Sequence, residues 1–344
     1  MGALHVVCWV LTSFFAAWLL LRLIPAGLDS RRPLTELIAL CPYAAVGEAL
    51  FTVVSYGSGD WGCGILGSIF TAWEIWFMRS YFFGKRPKAS GPLLTVMTLN
   101  CRYGRADADE IEKFAEKEGV DVLALQEVSP ELKEKVSRFA SFPYQASGEE
   151  SGEDNGGFNM ILSRKKPLAS MPSSVDLCAA QCPAIKLEFE GKTLLAASVH
   201  PKSPHRGGGY WGWGVNHLAS FLCYLGKEVR MPKFCPKLGL KEPKAERQAD
   251  YALVMGDMNS SLDLPSFRAV LRSGMKDSSM DAHTGPHPTF PATWKGWHEA
   301  LELDHVLHSS GLRSYFVKTK KISGSDHLAL VSRLGKEKGA STIL

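Results

Sequence analysis

The sequence predicts an α/β or α+β sandwich that follows an apolar, membrane-like region, and two observations support this. Three apolar stretches occupy residues 1–83. Beyond a Gly-, Pro- and Lys-containing break at residues 84–92, short apolar or β-branched runs alternate with segments of helical period. Alternating strands and helices bury their apolar faces in layers. We therefore divide the chain into a transmembrane region 1–83, a linker 84–92, a catalytic domain 93–335 and a tail 336–344.

The apolar region begins with residues 3–21, which contain no Asp, Glu, Lys or Arg. That length is close to the ~20 residues that cross the hydrocarbon core of a bilayer. The stretches 34–55 and 61–83 follow, interrupted by Glu36 and Glu48 and by Glu74. No basic segment precedes the first stretch, as a signal peptide would have. We expect about three transmembrane helices, and hence a multi-pass protein of the cell membrane.

The side of the membrane that the domain faces stays open. Arg31 and Arg32 follow the first stretch, and Lys85, Arg86 and Lys88 follow the third. With three spans, the positive-inside rule places the domain in the cytoplasm. The bias is small, and a different number of spans reverses the orientation.

The charge and the cysteine spacing argue against a dedicated nucleic-acid binder and against a zinc site. The chain has 39 Lys and Arg against 35 Asp and Glu, unlike a dedicated nucleic-acid binder. The spacing of the eight cysteines does not predict a zinc site. Cys178 with Cys182, or Cys223 with Cys235, are spaced for short-loop disulfides, and the redox compartment stays open.

The domain begins with a strand at residues 94–99 and a helix at 108–118, where Ile111, Phe114 and Ala115 recur at helical spacing. A second strand is predicted at 120–125. The remaining predicted strands are residues 159–163, 185–189, 193–199, 251–255, 303–307 and 328–332.

Polar side chains stand at the ends of these strands. They are Asn100, Glu127, His200, Asp257, Asn259 and Asp304, with Asp326 and His327 before the last strand. Each alone is explained by a turn, a cap or a half-buried histidine. Together they form a set of carboxylates, amides and imidazoles, and the carboxylates and amides favour a hard cation such as Mg²⁺ or Mn²⁺. The same groups supply the acid–base chemistry for cleaving a phosphate ester.

The motifs LNCRYG, LQEV, GDMN and GSDH, in this order, resemble the endonuclease/exonuclease/phosphatase superfamily. This superfamily includes deoxyribonuclease I, exonuclease III-like repair nucleases, neutral sphingomyelinases and inositol polyphosphate 5-phosphatases. The resemblance covers roughly residues 93–334. It implies a four-layered α/β sandwich of the deoxyribonuclease I type, with one or two divalent metals at the sheet edges.

By position, Glu127 resembles the metal-binding glutamate of the superfamily, and Asn100 contacts metal or phosphate beside it. Asp326 resembles the second metal carboxylate. The resemblance thus implies a metal set of Asn100, Glu127 and Asp326.

The resemblance also implies catalytic roles. His327 resembles the general base or phosphate-contacting histidine, oriented by Asp304. Asp257 and Asn259 resemble the pair that positions the attacking water and stabilises the transition state. His200 resembles a histidine of the deoxyribonuclease I, sphingomyelinase and 5-phosphatase branches, and the repair nucleases generally have Asn there.

Residues 207–214, with five Gly and two Trp, are expected to form a loop that shapes substrate access, contacts a membrane, or only covers the surface. The apolar region plus the domain resembles bacterial membrane members of the VanJ type, whose domain faces outward. We therefore expect a membrane-anchored phosphoesterase acting on a lipid-linked or small phosphorylated substrate. The alternative is an anchored nuclease acting on DNA or RNA, and a non-catalytic binding module is disfavoured by the intact motifs.

Overall fold

The computed structural model describes residues 2–85, 91–149, 157–225, 249–293 and 299–337. Most of the predicted linker and tail, Cys235 and the side chain of Cys223 lie outside the described part of the chain. Cys178 and Cys182 are both free thiols, so the disulfide considered between them is not formed. Burial raises the pKa of Cys182 to about 12.

The described residues form ten α-helices and twelve strands. The helices are α1 Ala3–Leu20, α2 Leu34–Ala39, α3 Cys41–Gly57, α4 Trp61–Phe77, α5 Arg79–Phe82, α6 Ala108–Glu118, α7 Pro130–Val136, α8 Gly208–Leu225, α9 Pro265–Arg272 and α10 Ser278–Ala282. The strands are β1 Leu94–Asn100, β2 Val122–Val128, β3 Tyr144–Ser147, β4 Phe158–Ser163, β5 Ala169–Met171, β6 Ala184–Phe189, β7 Lys192–Ser198, β8 Tyr251–Asp257, β9 Met275–Asp277, β10 Asp304–Ser309, β11 Leu312–Lys321 and β12 Leu328–Lys336.

The strands form two six-stranded sheets, so the predicted mixed α/β fold is confirmed. The first has the order β11-β12-β1-β2-β4-β3, and the second β5-β6-β7-β8-β10-β9. The pairs β1–β2 and β7–β8 are parallel, and the other pairs are antiparallel. Parallel neighbours end at the same edge of a sheet. Each sheet therefore brings the residues after two strands together.

Three buried clusters divide the domain into four layers. Val96 and Leu253 belong to the cluster between the two sheets. Phe114 of α6 belongs to the cluster that covers the outer face of the first sheet. Trp211 of α8 and Phe267 of α9 belong to the cluster on the outer face of the second. Burying side chains of this size stabilises the fold by about 1.5–3 kcal/mol each.

The prediction of about three transmembrane helices needs correction. Within the described residues, Ala3–Leu23 is the one helix long and apolar enough to cross a membrane, with a mean hydropathy of 2.0. The stretch 34–55 is divided at Leu40, because Pro42 lies in the first turn of a new helix. Helices α3 and α4 have 17 residues each. At 1.5 Å per residue they are about 26 Å long, shorter than a ~30 Å hydrocarbon core.

Helices α1, α3 and α4 pack together around a small core of Leu19, Cys41, Ala44 and Ala45. Their outward face is apolar and exposed. Its members include Val10, Leu50, Val53, Ile65 and Ile69.

The Gly- and Trp-rich segment 207–214 is not a loop, because it forms the first part of α8. Trp211 is fully buried in the core beneath the second sheet. A side chain at Gly208 or Gly212 would collide with Ser30. These glycines allow the N-terminal segment to lie directly on α8.

A buried carboxylate fixes the N-terminal segment to the domain. Asp29 accepts hydrogen bonds from the backbone N–H of Ser266 at 2.7 Å, from its Oγ at 2.6 Å, and from Gly27 N at 2.8 Å. Nearby, Arg22 is buried and forms ion pairs with Asp263 and Glu74. The apolar helices are therefore joined to the domain by charged, buried contacts.

Asp29→Ala is expected to lower the free energy of unfolding by about 3 kcal/mol, since three donors lose a charged acceptor. Denaturation of the full chain in detergent, followed by tryptophan fluorescence, measures this. Asp109→Ala removes an exposed carboxylate and is the matched control, with a change below about 0.5 kcal/mol. Equal stability of Asp29→Ala and the parent would show that Asp29 does not hold the segment in place.

Candidate active site

The ends of the central strands bring the predicted polar residues to one edge of the two sheets. Asn100 ends β1 and pairs with Gln126 of the parallel strand β2, next to Glu127. Asp257 ends β8 and pairs with Asp304. Asp304, which we predicted at the end of a strand, is the first residue of β10. It reaches the same edge because β10 is antiparallel to β8.

A bulge in β2 directs Glu127. The pairing of β2 with β4 shifts register between Leu125 and Val128, and Glu127 has φ 53°. Bulges re-aim side chains, and a non-glycine residue with positive φ is strained unless its surroundings hold it. The Oε2 of Glu127 accepts a hydrogen bond from Tyr103 N at 3.0 Å.

The turn after β1 contributes that donor. Gly104 N donates to Glu127 O at 2.7 Å, and a Cβ on Gly104, whose φ is 73°, would collide with Ser129. Arg102 and Tyr103 also have positive φ. Glycine at position 104 therefore lets this turn close on β2 and aim the Tyr103 amide at the Glu127 carboxylate.

Asp257 lies at the centre of the polar cluster. Its Oδ2 accepts from Asn100 Nδ2 at 3.0 Å, and its Oδ1 from Asn259 N at 2.7 Å. The Nε2 atoms of His200 and His327 lie 3.5 and 3.7 Å from its Oδ2. Asn259 also donates through Nδ2 to Pro201 O at 3.1 Å, which fixes its amide.

Gly256 brings the strand bearing Asp257 close to the one before His200. Its φ is 152°, and a Cβ there would collide with Val199 O. The glycine of the GDMN motif thus allows the backbone of β8 to approach the backbone at Val199 closely. The distance between Asp257 and His200 depends on it.

A carboxylate and a hydroxyl orient His327. Its Nδ1 lies 2.7 Å from Asp304 Oδ2, and its backbone N–H donates to Ser325 Oγ at 2.9 Å. Asp304 N in turn donates to Thr289 Oγ1 at 3.2 Å. The Phe290 ring lies 4.9 Å from the imidazole ring, centroid to centroid. Nε2 of His327 is thereby directed at the cluster.

Burial and neighbouring charges shift the pKa of each central group. Burial disfavours the imidazolium of His327, but Asp304 and Asp257 outweigh it and raise its pKa to about 10. His200 is buried too, and its hydrogen bond to Asp257 raises its pKa. Burial opposes the ionisation of Asp257, but His327 and His200 prevail and lower its pKa. The carboxylate thus stabilises the imidazolium forms of both histidines, and they stabilise its ionised form.

Burial raises the pKa of Glu127, and the charge of His200, with Nε2 3.9 Å from Oε1, offsets this only in part. A buried carboxylate whose negative charge is not fully balanced by neighbouring positive groups is a good ligand for a cation.

These groups line a cleft of about 430 Å³, which we call the catalytic cleft. Seven of the eight predicted site residues line it, and they are Asn100, Glu127, His200, Asp257, Asn259, Asp326 and His327. Asp304 lies behind His327.

The catalytic cleft also has walls that the sequence did not predict. Tyr103 belongs to the LNCRYG motif but was given no role, and Arg206 directly precedes the Gly- and Trp-rich segment 207–214. Thr35, Glu36, Ala39 and Leu40 come from the region of α2, more than fifty residues before the domain, and no motif marked them.

The carboxylate and amide oxygens of the donor set suit a hard divalent cation. Among the described residues, Asp257, Asp304 and His327 form the one group of three such side chains whose ligand atoms lie within 4.8 Å of one another. Their hydrogen bonds with each other and with Asn100 explain that proximity. The predicted ligands differ from this group: Glu127 faces the cleft, and Asp326 Oδ2 lies 3.5 Å from Arg102 Nε.

Comparisons with known proteins agree with the fold. The sequence model of the Endonuclease/Exonuclease/phosphatase family matches residues 97–327. No curated protein matches the chain. Solved structures do: a family protein from Leptotrichia buccalis has 15% identity and a TM-score of 0.51, and the match covers 70% of this chain and 99% of that one.

Two further similar structures belong to proteins that are named for different functions. The mannosyl-6-phosphatase of Bacteroides thetaiotaomicron has 15% identity and a TM-score of 0.52, covering 70% of this chain and 99% of that one. The D. rerio TDP2 protein, complexed with a single-strand DNA product, has 15% identity and a TM-score of 0.51, covering 72% and 100%. At such identity the likeness shows the fold alone.

Proposed function

Because this chain belongs to the Endonuclease/Exonuclease/phosphatase family, whose members are metal-dependent hydrolases of phosphate esters, we propose that its catalytic cleft hydrolyses the phosphate ester of a lipid-linked or small substrate. The convergence of His200 and His327 on Asp257 carries this proposal. The pKa values of both imidazoles are raised, and the two side chains line a cleft in which their imidazolium forms would attract a phosphate group.

In this proposal each catalytic residue has a distinct role. Asp257, fixed by Asn100 and Asn259, orients the attacking water. The side chain of Asn259 stabilises charge on the phosphorus oxygens. His200 and His327 bind those oxygens, and His327, held by Asp304, is the group that transfers a proton.

Glu127, Asn100 and Asp326 are the residues we propose to hold the metal, Mg²⁺ or Mn²⁺. Bound there, the ion would supply positive charge to the phosphate as it accumulates negative charge. The raised pKa of Glu127 supports this choice. Burial destabilises its ionised carboxylate, and a bound cation would stabilise that form.

We also propose that the N-terminal helices anchor the protein in the cell membrane. Ala3–Leu23 has the length and composition of a span. The exposed faces of α1, α3 and α4 are apolar over several turns. An apolar patch of this extent is unfavourable in water and is typical of a membrane or protein contact. The catalytic cleft is walled by α2 of this same region, so the site lies beside the proposed anchor.

Assays of the full chain in detergent with Mg²⁺ test the substrate class. Alkyl phosphates and bis(p-nitrophenyl) phosphate are each compared with supercoiled plasmid and single-strand RNA, measuring released phosphate, released nitrophenol and strand breaks. We expect turnover of the small or lipid-like esters to exceed cleavage of nucleic acid.

Rapid nicking of plasmid with no turnover of any small ester would replace this proposal with the nuclease alternative. The likeness of fold to the TDP2 protein fits either outcome.

A further inference from the structure

A second cavity adjoins the catalytic cleft on the side of the apolar helices. It has a volume of about 270 Å³, and we call it the side cavity. Its lining includes Pro42, Tyr43 and Val46 of α3, Met78, Leu262 and Pro288. Ala39, Ala300 and Leu301 line both cavities, so the two share one wall of small and apolar side chains.

The side cavity reaches the exposed apolar face of α3. Tyr43 and Val46, which line it, are 49% and 60% exposed. Leu50 and Val53, one and two turns further along α3, are 62% and 70% exposed. The Tyr43 hydroxyl donates to Ala300 O at 2.9 Å, so the helix is tied to the shared wall. The linings of the two adjacent cavities, which together we call the apolar path, therefore extend from the outer face of α3 to the catalytic groups.

Four carboxylates line the two cavities outside the catalytic groups, and three of them have partners within the protein. The carboxylate of Glu302 accepts hydrogen bonds from the Tyr81 hydroxyl at 2.5 Å and from His287 N at 3.0 Å. Asp263 forms an ion pair with Arg22 at 2.6 Å. The carboxylate of Glu36 forms an ion pair with Arg32 at 2.5 Å, and Glu299 lines the side cavity. The apolar side chains of the side cavity suit an uncharged chain, and the two histidines of the catalytic cleft suit one anionic head attached to it.

We propose that the two cavities form one binding site for an amphiphilic phosphate ester. Its phosphate head lies between His200 and His327 in the catalytic cleft. Its hydrocarbon chain passes Ala39 and Leu301, fills the side cavity and emerges at Val46 onto the apolar face of α3. This inference rests on the proposed function and specifies its substrate class.

Chain-length preference tests the inference. The ratio of kcat/KM for hexadecyl phosphate to kcat/KM for butyl phosphate is measured with the full chain in detergent. The parent protein is expected to prefer the long chain by at least about tenfold, which corresponds to about 1.4 kcal/mol. Val46→Trp narrows the side cavity and is expected to bring the ratio close to one. Leu50→Trp, on the same face of α3 but lining neither cavity, is the matched control and keeps the parental ratio.

Photo-crosslinking gives a readout that does not depend on turnover. A long-chain alkyl phosphonate with a diazirine near its chain end cannot be hydrolysed at its C–P bond. It is expected to label Pro42, Tyr43 or Leu301 in the parent and in Leu50→Trp, and several-fold less in Val46→Trp.

The outcomes separate the two proposals. Turnover with no chain-length preference and no labelling of these residues overturns the binding site but leaves the phosphoesterase. Labelling without turnover of any ester keeps the binding site and overturns the proposed function. Equal ratios in Val46→Trp and Leu50→Trp, both at the parental value, also overturn the binding site.

Discussion

Glu127→Gln is expected to lower kcat/KM for phosphate ester hydrolysis about 10³-fold. The substitution preserves the size of the side chain and the acceptor for Tyr103 N, but removes the charge that we propose binds the metal. A bound ion contributes several kcal/mol to the transition state, and each ~1.4 kcal/mol is tenfold in rate. Steady-state assays with saturating Mg²⁺ measure the loss.

Glu134→Gln is the matched control for this prediction. Glu134 is exposed on α7 and pairs with Arg138 at the surface. The activity of the Glu134→Gln protein is expected to equal that of the parent protein. If Glu127→Gln retained more than about a tenth of the parental activity, Glu127 would not be a metal ligand of the reaction.

Asp304→Asn is expected to lower kcat about 10³-fold, because the amide no longer stabilises the imidazolium of His327 or fixes its tautomer. His327→Gln is expected to cost a similar factor. Since the two side chains act as one unit, the double variant is expected to be no slower than the slower single variant. Single-turnover assays of the three proteins measure this.

Additive losses in the double variant would show that Asp304 and His327 act independently. Thermal unfolding of each variant separates loss of the dyad from loss of the fold, because Asp304 is fully buried. Asp109→Asn, exposed in the first turn of α6, is the control for the change of an aspartate to an asparagine.

Local sequence signals were sufficient to locate an element where apolar residues recur at regular spacing and capping or turn residues mark both ends. Helix α6 begins and ends as predicted, since Asp107 caps Glu110 N at 2.9 Å and Gly119 ends the helix with φ 66°. Eight of the twelve strands were located within about four residues at each end, but the ten-residue strand β11 was not predicted. The predicted site residues converge for the same reason, because each marks the edge of a buried strand.

Features that depend on tertiary contacts were not predicted. The strands β3, β5 and β9 have only three or four residues each and lie at sheet edges or beside helices, so they lack a period of their own. The Gly-rich start of α8 is helical because Trp211 is buried in the core and Ser30 packs on its glycines.

The wall of the catalytic cleft from α2 was also missed. It is formed by chain that precedes the domain, held there by Asp29 and Arg22. Neither residue belongs to a motif, and their partners at Ser266 and Asp263 are more than 230 residues away in sequence. Contacts of this kind follow from the assembled fold and not from local pattern.

Metal dependence tests the central claim most directly. The full chain is treated with EDTA, freed of chelator, and assayed for hydrolysis of an alkyl phosphate before and after addition of Mg²⁺ or Mn²⁺. We expect activity to disappear with the metal and to return when either ion is added, and Glu127→Gln to remain inactive throughout. Full hydrolysis by protein shown by elemental analysis to be free of divalent metal would contradict the account.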